Sequence, residues 1–544
     1  MALVFGAFLA TTLVVPVFAP VPISDDWLWA RAVESLVREG SLRLPDLTAP
    51  TLLFQLLWGA GFSWLLEPTF GVLRLSTIVL VMLSGLAFYG LCRELDVSPR
   101  RSVLALGVYL FHPLAYGLTF TFMTDPHFVA LLVIAAFCYV RGLRPGSESP
   151  ALVLVGSVVS ACAFLVRPQG VLMPVAVMTY LVIAGRLRFG RAGAVLFVRI
   201  VGVPLVAFVG YQLWLSLFHG VPTGQKDFLG NFRQSGLTGN VRLAGALAFV
   251  SAMYAGFFVA PIALASIPRV PSLIRGLPPR RLLLGAVWAL CLIVGVIAFA
   301  GRNRLMPYAA LFVDDTGIGP QDVVGGRRRL IGDWGLGWVT GGTAVLAVIL
   351  GLLLLHPTKR AWKGQAGLVL AVLVWQLLGV LPASGQKVIG GSRIITFDRY
   401  LLVLLPFVIC LALWALRGVR LSHGAAWAAT IPFVVFSVVG TRDLIVWQKT
   451  TWALAHEANC MGVPNDRFNG GHAWTGYYLS DGAYPNPNQS ARTPLPRPWW
   501  MEQLGPASDS IFLLSTVPFP RHTVIKQVEY SQWLQSEPTT LYLL

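Results

Sequence analysis

Two acidic residues stand side by side at Asp25 and Asp26, in the run Ile23-Ser24-Asp25-Asp26-Trp27, directly after the first apolar stretch. Adjacent carboxylates at a bilayer surface repel each other and are costly to keep dry, so such acids usually face a cavity and do something there. They would also suit the first turn of a helix, where acidic side chains complement the dipole, and spacing alone does not separate the two readings. Asp125, in Thr124-Asp125-Pro126-His127, lies between two apolar runs. Pro126 fits the first position of the following helix, so capping accounts for this acid as well as chemistry does. Arg74, Arg167 and Arg399 sit at the ends of apolar runs on the same expected face. Each could simply snorkel to headgroups. Beside the acids they suit an anionic ligand, because guanidinium grips phosphate through paired hydrogen bonds. A carboxylate that accepts a hydroxyl proton and arginines that hold a departing phosphate are the parts of a group transfer. If a divalent ion such as Mg or Mn takes part, Asp25 and Asp125 are its expected oxygen ligands.

The elements that must position these residues belong in a membrane. The chain has 544 residues, 56% of them hydrophobic and only 12% charged, with a mean hydropathy of +0.69. Soluble proteins carry roughly a quarter charged residues, and no soluble fold of this size hides so much apolar surface. The apolar residues fall in bilayer-length runs near 2–21, 70–92, 102–121, 126–140, 151–166, 171–185, 194–217, 243–267, 282–300, 335–355, 367–383, 400–416 and 425–440. These thirteen are the expected spans, and the first is read as a membrane helix rather than a signal peptide because it lacks a basic leader.

Net charge is +17, yet no soluble basic domain exists, and nucleic acid is not an expected partner. The basic residues cluster between spans, at Arg93/Arg100/Arg101, Arg141/Arg144, Arg186/Arg188/Arg191, 269–281, Lys359/Arg360/Lys363 and Arg417/Arg420. That alternation places these loops in the cytoplasm and the acid-bearing loops outside. The loop 301–333 is expected outside although it carries Arg327, Arg328 and Arg329. The six cysteines form neither a CxxC nor a Cys/His cluster, so they indicate neither a disulfide framework nor a thiolate metal site.

The first outer loop, 22–69, is expected to hold an interfacial helix over 25–38, capped by Ser24, and a second over Leu52–Leu66. Composition changes after Thr441, where Asn, Pro, Gly, Trp and Tyr become frequent. Residues 443–460 read as an amphipathic helix, and Ser510–Val517, Val524–Tyr530 and Thr540–Leu544 as strands. The expectation is an all-α polytopic membrane protein, 1–440, followed by a small extracytoplasmic α/β domain, 441–544. A multi-pass protein of the plasma (inner) membrane, in a bacterium, is the expected setting.

The pattern DD-W-x-x-A-R-x-V-E from Asp25, the entry Arg74-Leu-Ser, Phe-Met-Thr-Asp-Pro at Asp125 and R-Y-L-L-x-L-L-P from Arg399 resemble the GT-C glycosyltransferases. The closest resemblance is to bacterial relatives of the protein O-mannosyltransferases and the lipid A aminoarabinose transferase. It implies inverting transfer of a sugar from a polyprenyl-phosphate donor to a glycan, lipid or protein acceptor. Asp25 would be the base, and Asp26 would stand where the family usually has Glu. Asp125 would be the acid of the second loop, and Arg74, with Arg167 and Arg399, would lie near the donor phosphate. A lipid or sugar transporter or flippase is the alternative, as is a scaffold. Against a transporter stand the lack of internal repeats and the paired acids in a large first loop. No glycine fingerprint for a nucleotide is present, which favours a lipid-linked donor over a nucleotide sugar.

Overall fold

The computed structural model describes residues 1–187, 190–226, 236–358, 361–384, 388–389, 392–393, 395–480, 498–505, 508, 510–520 and 522–544. Arg188, Lys359 and Arg360 of the expected cytoplasmic loops lie outside them. Each expected span coincides with helix, but the count differs. Among the described residues nine helices are long and apolar enough to cross a bilayer. A tenth is formed if Pro99–Leu110 and Pro113–Thr119, bent by 63°, make one span. The remaining three, Ala2–Thr11, Pro150–Phe164 and Pro168–Ile183, are shorter apolar helices.

Local chemistry explains the shortfall. The hydroxyls of Thr11 and Thr12 donate back to the carbonyls of Phe8 and Leu9, at 2.5 and 2.6 Å, and Pro16, Pro20 and Pro22 follow. Threonines that bond backwards weaken a helix, and a proline cannot continue its hydrogen-bond ladder. Pro168 and Pro113 begin the helices that follow the other two breaks.

The basic loops gather at one end of the helices. Arg144 and Arg141 pair with Glu94 at 2.9 and 3.3 Å, Arg101 donates to the carbonyl of Leu416 at 2.5 Å, and Arg186 to that of Leu143 at 2.6 Å. Arg281 donates to the carbonyls of Leu355, His356 and Pro357 at 2.9, 3.0 and 2.9 Å.

At the other end lies the first loop. Its helices Asp26–Glu39 and Leu53–Leu66 pack together. The stripe Trp27, Ala30 and Val33 is buried against protein, rather than facing lipid as an interfacial helix would. The segment 301–332 folds over the same end, and its three arginines are neutralised internally. Arg327 donates to the carbonyls of Ile318 (2.7 Å) and Gly319. Arg328 pairs with Glu537 at 2.6 Å, and Arg329 pairs with Asp333 at 2.6 Å and with Asp315. Arginines tied up this way do not act as free loop charges, so their departure from the charge alternation has a physical cause.

The helix His423–Cys460 is continuous for 38 residues. The expected span 425–440 and the expected helix 443–460 are therefore one element, and no break occurs at residue 440. Its second half buries Leu444, Trp447, Leu454 and Ala458. Beyond it a four-stranded sheet runs in the order Phe468–Asn469, Phe512–Ser515, Thr539–Leu543, Lys526–Tyr530. The first pair is parallel and the others antiparallel. The short helices His472–Leu479 and Trp499–Leu504 pack together beside it. Val324 of the 301–332 segment bridges to Ser515, so the two segments share one face of the molecule.

Candidate active site

Asp25 occupies the N-cap position of Asp26–Glu39, yet its side chain makes no capping bond. It turns instead to two residues far away in sequence. Both terminal nitrogens of Arg399 donate to Asp25 Oδ2 at 3.2 Å, and His472 Nε2 stands 3.6 Å from Oδ1. The Asp25 side chain keeps 34% of its surface exposed, so a ligand can reach it. Capping is thus not what this acid does. Ser24, expected as the cap, holds a left-handed backbone with φ 57°, a conformation costly for a residue with a side chain and often found near functional sites.

Asp26 behaves oppositely. Its side chain is fully buried and accepts from the N–H groups of Ile23 (2.6 Å) and Phe122 (3.4 Å). Burial pushes its carboxyl up to about 7, against the pull of Arg74 and of those two amides. An acid sealed in this way ties the first loop to the chain at Phe122 and is out of reach of substrate, contrary to the catalytic place expected for it. Arg74 is also fully buried. Its guanidinium donates to the carbonyls of Val17 (3.0 Å), Ala19 (2.8 Å) and Val21. These are backbone groups left over where the first helix ends early, and pairing them is what Arg74 does. The expected phosphate contact finds no free donor face there.

Asp125, 1% exposed, pairs with Arg167 at 2.7 Å, and Arg167 also donates to Thr124 Oγ1 at 2.6 and 2.9 Å. The Tyr400 ring links the two ion pairs, with the Arg167 guanidinium 5.3 Å and that of Arg399 5.4 Å from its centre. Arg399 also feels the charges of both Asp25 and Asp125. The structure therefore brings together Asp25, Asp125, Arg167 and Arg399, and sets Asp26 and Arg74 behind them as framework. Asp398 positions Arg399. Its carboxylate accepts from the amides of Phe312 (3.1 Å), Val313 (2.7 Å) and Arg399 (2.8 Å), which fastens the 301–332 segment over the site.

His472, Asp322 and Tyr400 join the site without having been singled out in the sequence. The Asp322 carbonyl accepts the His472 amide at 2.8 Å, and its carboxylate accepts from Gln448 at 3.0 Å. Burial, then the nearby Asp25 charge, pushes the Asp322 carboxyl up to about 8, while Arg327 and Gln448 pull it down. Gly471 makes the approach possible. Its φ is +95°, and a Cβ there would stand 2.7 Å from the Asp322 carbonyl oxygen. The pair Gly470-Gly471 before His472 is the one local hint in the sequence that a tight contact occurs here.

A divalent ion needs several oxygen or nitrogen ligands converging on one point. Among the described residues no three His, Cys, Asp or Glu side chains do so. Asp25 and Asp125 each face an arginine, an arrangement suited to an anion and not to a second cation. The residues present do not fit the metal role expected for that pair.

Residues 54–214 match the family of dolichyl-phosphate-mannose-protein mannosyltransferases, a stretch that contains Arg74, Asp125 and Arg167. No curated protein sequence matches the chain significantly. Among solved structures the chain is similar to ArnT from Cupriavidus metallidurans bound to undecaprenyl phosphate. The identity is 14%, over 86% of this chain and 82% of that one, with a TM-score of 0.37. It is also similar to the archaeal oligosaccharyltransferase AglB from Archaeoglobus fulgidus in complex with an inhibitory peptide and a dolichol-phosphate. There the identity is 13%, over 85% of this chain and 58% of that one, with a TM-score of 0.40. Superpositions this loose carry no argument about the fold or the site. The similarity implied by the motifs, to the GT-C glycosyltransferases and among them to the protein mannosyltransferases, holds over residues 54–214.

Proposed function

We propose that this chain is a membrane glycosyltransferase that moves a sugar from a polyprenyl-phosphate donor to an acceptor hydroxyl or amine in a glycan, lipid or protein. The observation that carries this reading is the state of Asp25. Of the three expected acids it alone stays open, and it is held between Arg399 and His472. In the reaction the acceptor attacks the anomeric carbon from the face opposite the phosphate, so the configuration inverts. Asp25 takes the acceptor's proton as the new bond forms, because a hydroxyl is a weak nucleophile until a carboxylate within reach removes it. The sugar–oxygen bond to phosphate breaks, and its electron pair leaves with the polyprenyl phosphate. Arg399 and Arg167 place positive charge where that negative charge develops, the arrangement that lowers such a barrier most. Asp125 keeps Arg167 in position.

In this reading residues 1–440 form the membrane-embedded catalytic part and 441–544 an extracytoplasmic α/β part. The site faces away from the basic cytoplasmic loops of the inner membrane, where lipid-linked donors are available and nucleotide sugars are scarce. Purified protein in lipid nanodiscs should consume a polyprenyl-phosphate sugar. Asp25→Asn should lose at least about 100-fold in turnover, the usual contribution of a general base, while remaining folded. Turnover within a few-fold of wild type would remove Asp25 from the role, and turnover with a nucleotide sugar alone would remove the donor class.

A further inference from the structure

Beside the ion pairs lies a pocket of about 230 Å3 lined by Phe128, Arg167, Gln169, Gln376, Val380, Ala383, Tyr400 and Val403. Most of this wall is apolar, so its two amides stand out. Gln376 is 1% exposed, and neither its amide oxygen nor its amide nitrogen has a hydrogen-bond partner among the described residues. The amide oxygen of Gln169 is likewise buried without one. Gln376 sits within the apolar helix Gln365–Val380, where an unpaired amide costs several kcal/mol. Replacing it with an apolar residue of similar size would remove that cost, so the amide's retention has to be explained by something it binds.

The two amides are brought together by packing. Gly379 lies one turn after Gln376, and a Cβ on it would stand 3.3 Å from Gln169 Cγ and 2.6 Å from Leu172. The missing side chain at 379 therefore lets Gln169 lie against the same helix face that presents Gln376. Two primary amides offer donors and acceptors side by side without charge, which suits adjacent hydroxyl groups. An isoprenoid tail has nothing to offer them, and a phosphate has no use for their acceptor oxygens. The pocket is also smaller than the 300–1,000 Å3 or so usual for a drug-sized ligand, a size for one ring and not a chain of rings.

Resting on the glycosyl-transfer reading above, we propose that this pocket holds the single sugar ring of the donor and that Gln376 and Gln169 read its hydroxyls, making them specificity residues. Arg167 spans the two functions, facing the ring pocket on one side and Asp125 on the other.

Full-length protein in nanodiscs tests this through binding of undecaprenyl phosphate and of undecaprenyl-phosphate mannose, glucose and arabinose. Wild type should bind at least one loaded carrier more tightly than the bare one. Gln376→Leu should weaken that loaded carrier by roughly 10- to 100-fold, the usual consequence of losing hydrogen bonds in a buried site, and leave the bare carrier unchanged. Its thermal stability should be equal to or above wild type, since an unpaired buried amide has been removed. Equal weakening of loaded and bare carrier would move the amide to the phosphate or tail and overturn the proposal. No change in either would mean that the amides hold only solvent, which also overturns it. A wild-type protein that transfers sugar but does not distinguish the loaded carriers from the bare one sinks this inference and spares the transfer reading. Binding of no carrier at all sinks both.

Discussion

Gly476 faces the ring of Trp27, and a Cβ added there would stand 2.3 Å from Trp27 Cζ2 and 2.4 Å from Cε2. Ordinary contact begins near 3.4 Å, so Gly476→Ala forces a separation of about 1.1 Å or more, which overpacking typically resolves at about 1–3 kcal/mol. Trp27 is 2% exposed and cannot swing into open space. It also stands two residues from Asp25, while Gly476 stands four from His472, so the strain falls on the contact between them. That contact is 3.6 Å, and the bond from Arg399 to Asp25 is 3.2 Å. A displacement of about 1 Å at reacting groups costs on the order of 100-fold in rate. Gly476→Ala should therefore lower kcat by about that factor and lower the unfolding temperature by a few degrees, measured on nanodisc protein. Gly61→Ala, where nothing lies within 4 Å, should change neither. Adding Trp27→Phe, which deletes the clashing part of the indole, should restore much of the lost kcat, and the double-mutant cycle should show strong coupling. A Gly476→Ala protein with kcat within about three-fold of wild type would show that the packing of His472–Leu479 on the first loop does not set the geometry of Asp25.

Arg74→Ala should act on folding and not on donor recognition. It leaves the carbonyls of Val17, Ala19 and Val21 without their donor, at about 1–3 kcal/mol for each buried group left unpaired; a normal unfolding temperature with a raised KM would contradict this. Asp26→Asn should leave stability at pH 6 close to wild type, because the native carboxyl, at about 7, is already mostly neutral there. As pH rises from about 4 to 7 the unfolded chain ionises Asp26 while the folded chain keeps its proton, so wild type loses stability across that window and holds the deficit, on the order of 4 kcal/mol, above it. The variant should lack this slope, and identical pH profiles of thermal unfolding would refute the assignment.

The positions of the spans were legible because lipid imposes a length on apolar runs, and no distant contact is needed to see it. Their exact number was not. Whether Ala2–Thr11 continues depends on two hydroxyls bonding backwards and on prolines further along, and composition averaged over a window is blind to both. The acids show a finer limit. Asp25 and Asp26 are neighbours in sequence, but successive helical residues point about 100° apart, so one faces the cavity and the other the core. The chain reads as one acidic pair, while the fold makes one reachable carboxylate and one sealed hydrogen-bond acceptor. Arg74 misled for a related reason. An arginine near the end of a span has the same sequence signature whether it greets a phosphate or ties up stray carbonyls.

His472 was illegible for a deeper reason, which also says why the C-terminal segment matters. The site joins Asp25 to Arg399 across 374 residues, and His472 reaches Asp25 only because three separate segments meet at one end of the helices. Asp398 fastens the 301–332 segment by accepting from Phe312 and Val313. Asp322 of that segment then receives the amide of His472 on its carbonyl, and Trp27 meets Gly476 on the other side. Arg31 adds a bond to the Tyr477 carbonyl at 3.2 Å. Each link is weak alone, but together they tie the His472 helix to the first loop and to the 301–332 segment, so its imidazole has little freedom relative to Asp25. A buried network of this kind is sensitive to any one missing member. The elements after Cys460 are thus not an appendage on a finished catalytic core, because they supply a side chain within 3.6 Å of the acid that does the chemistry in our reading.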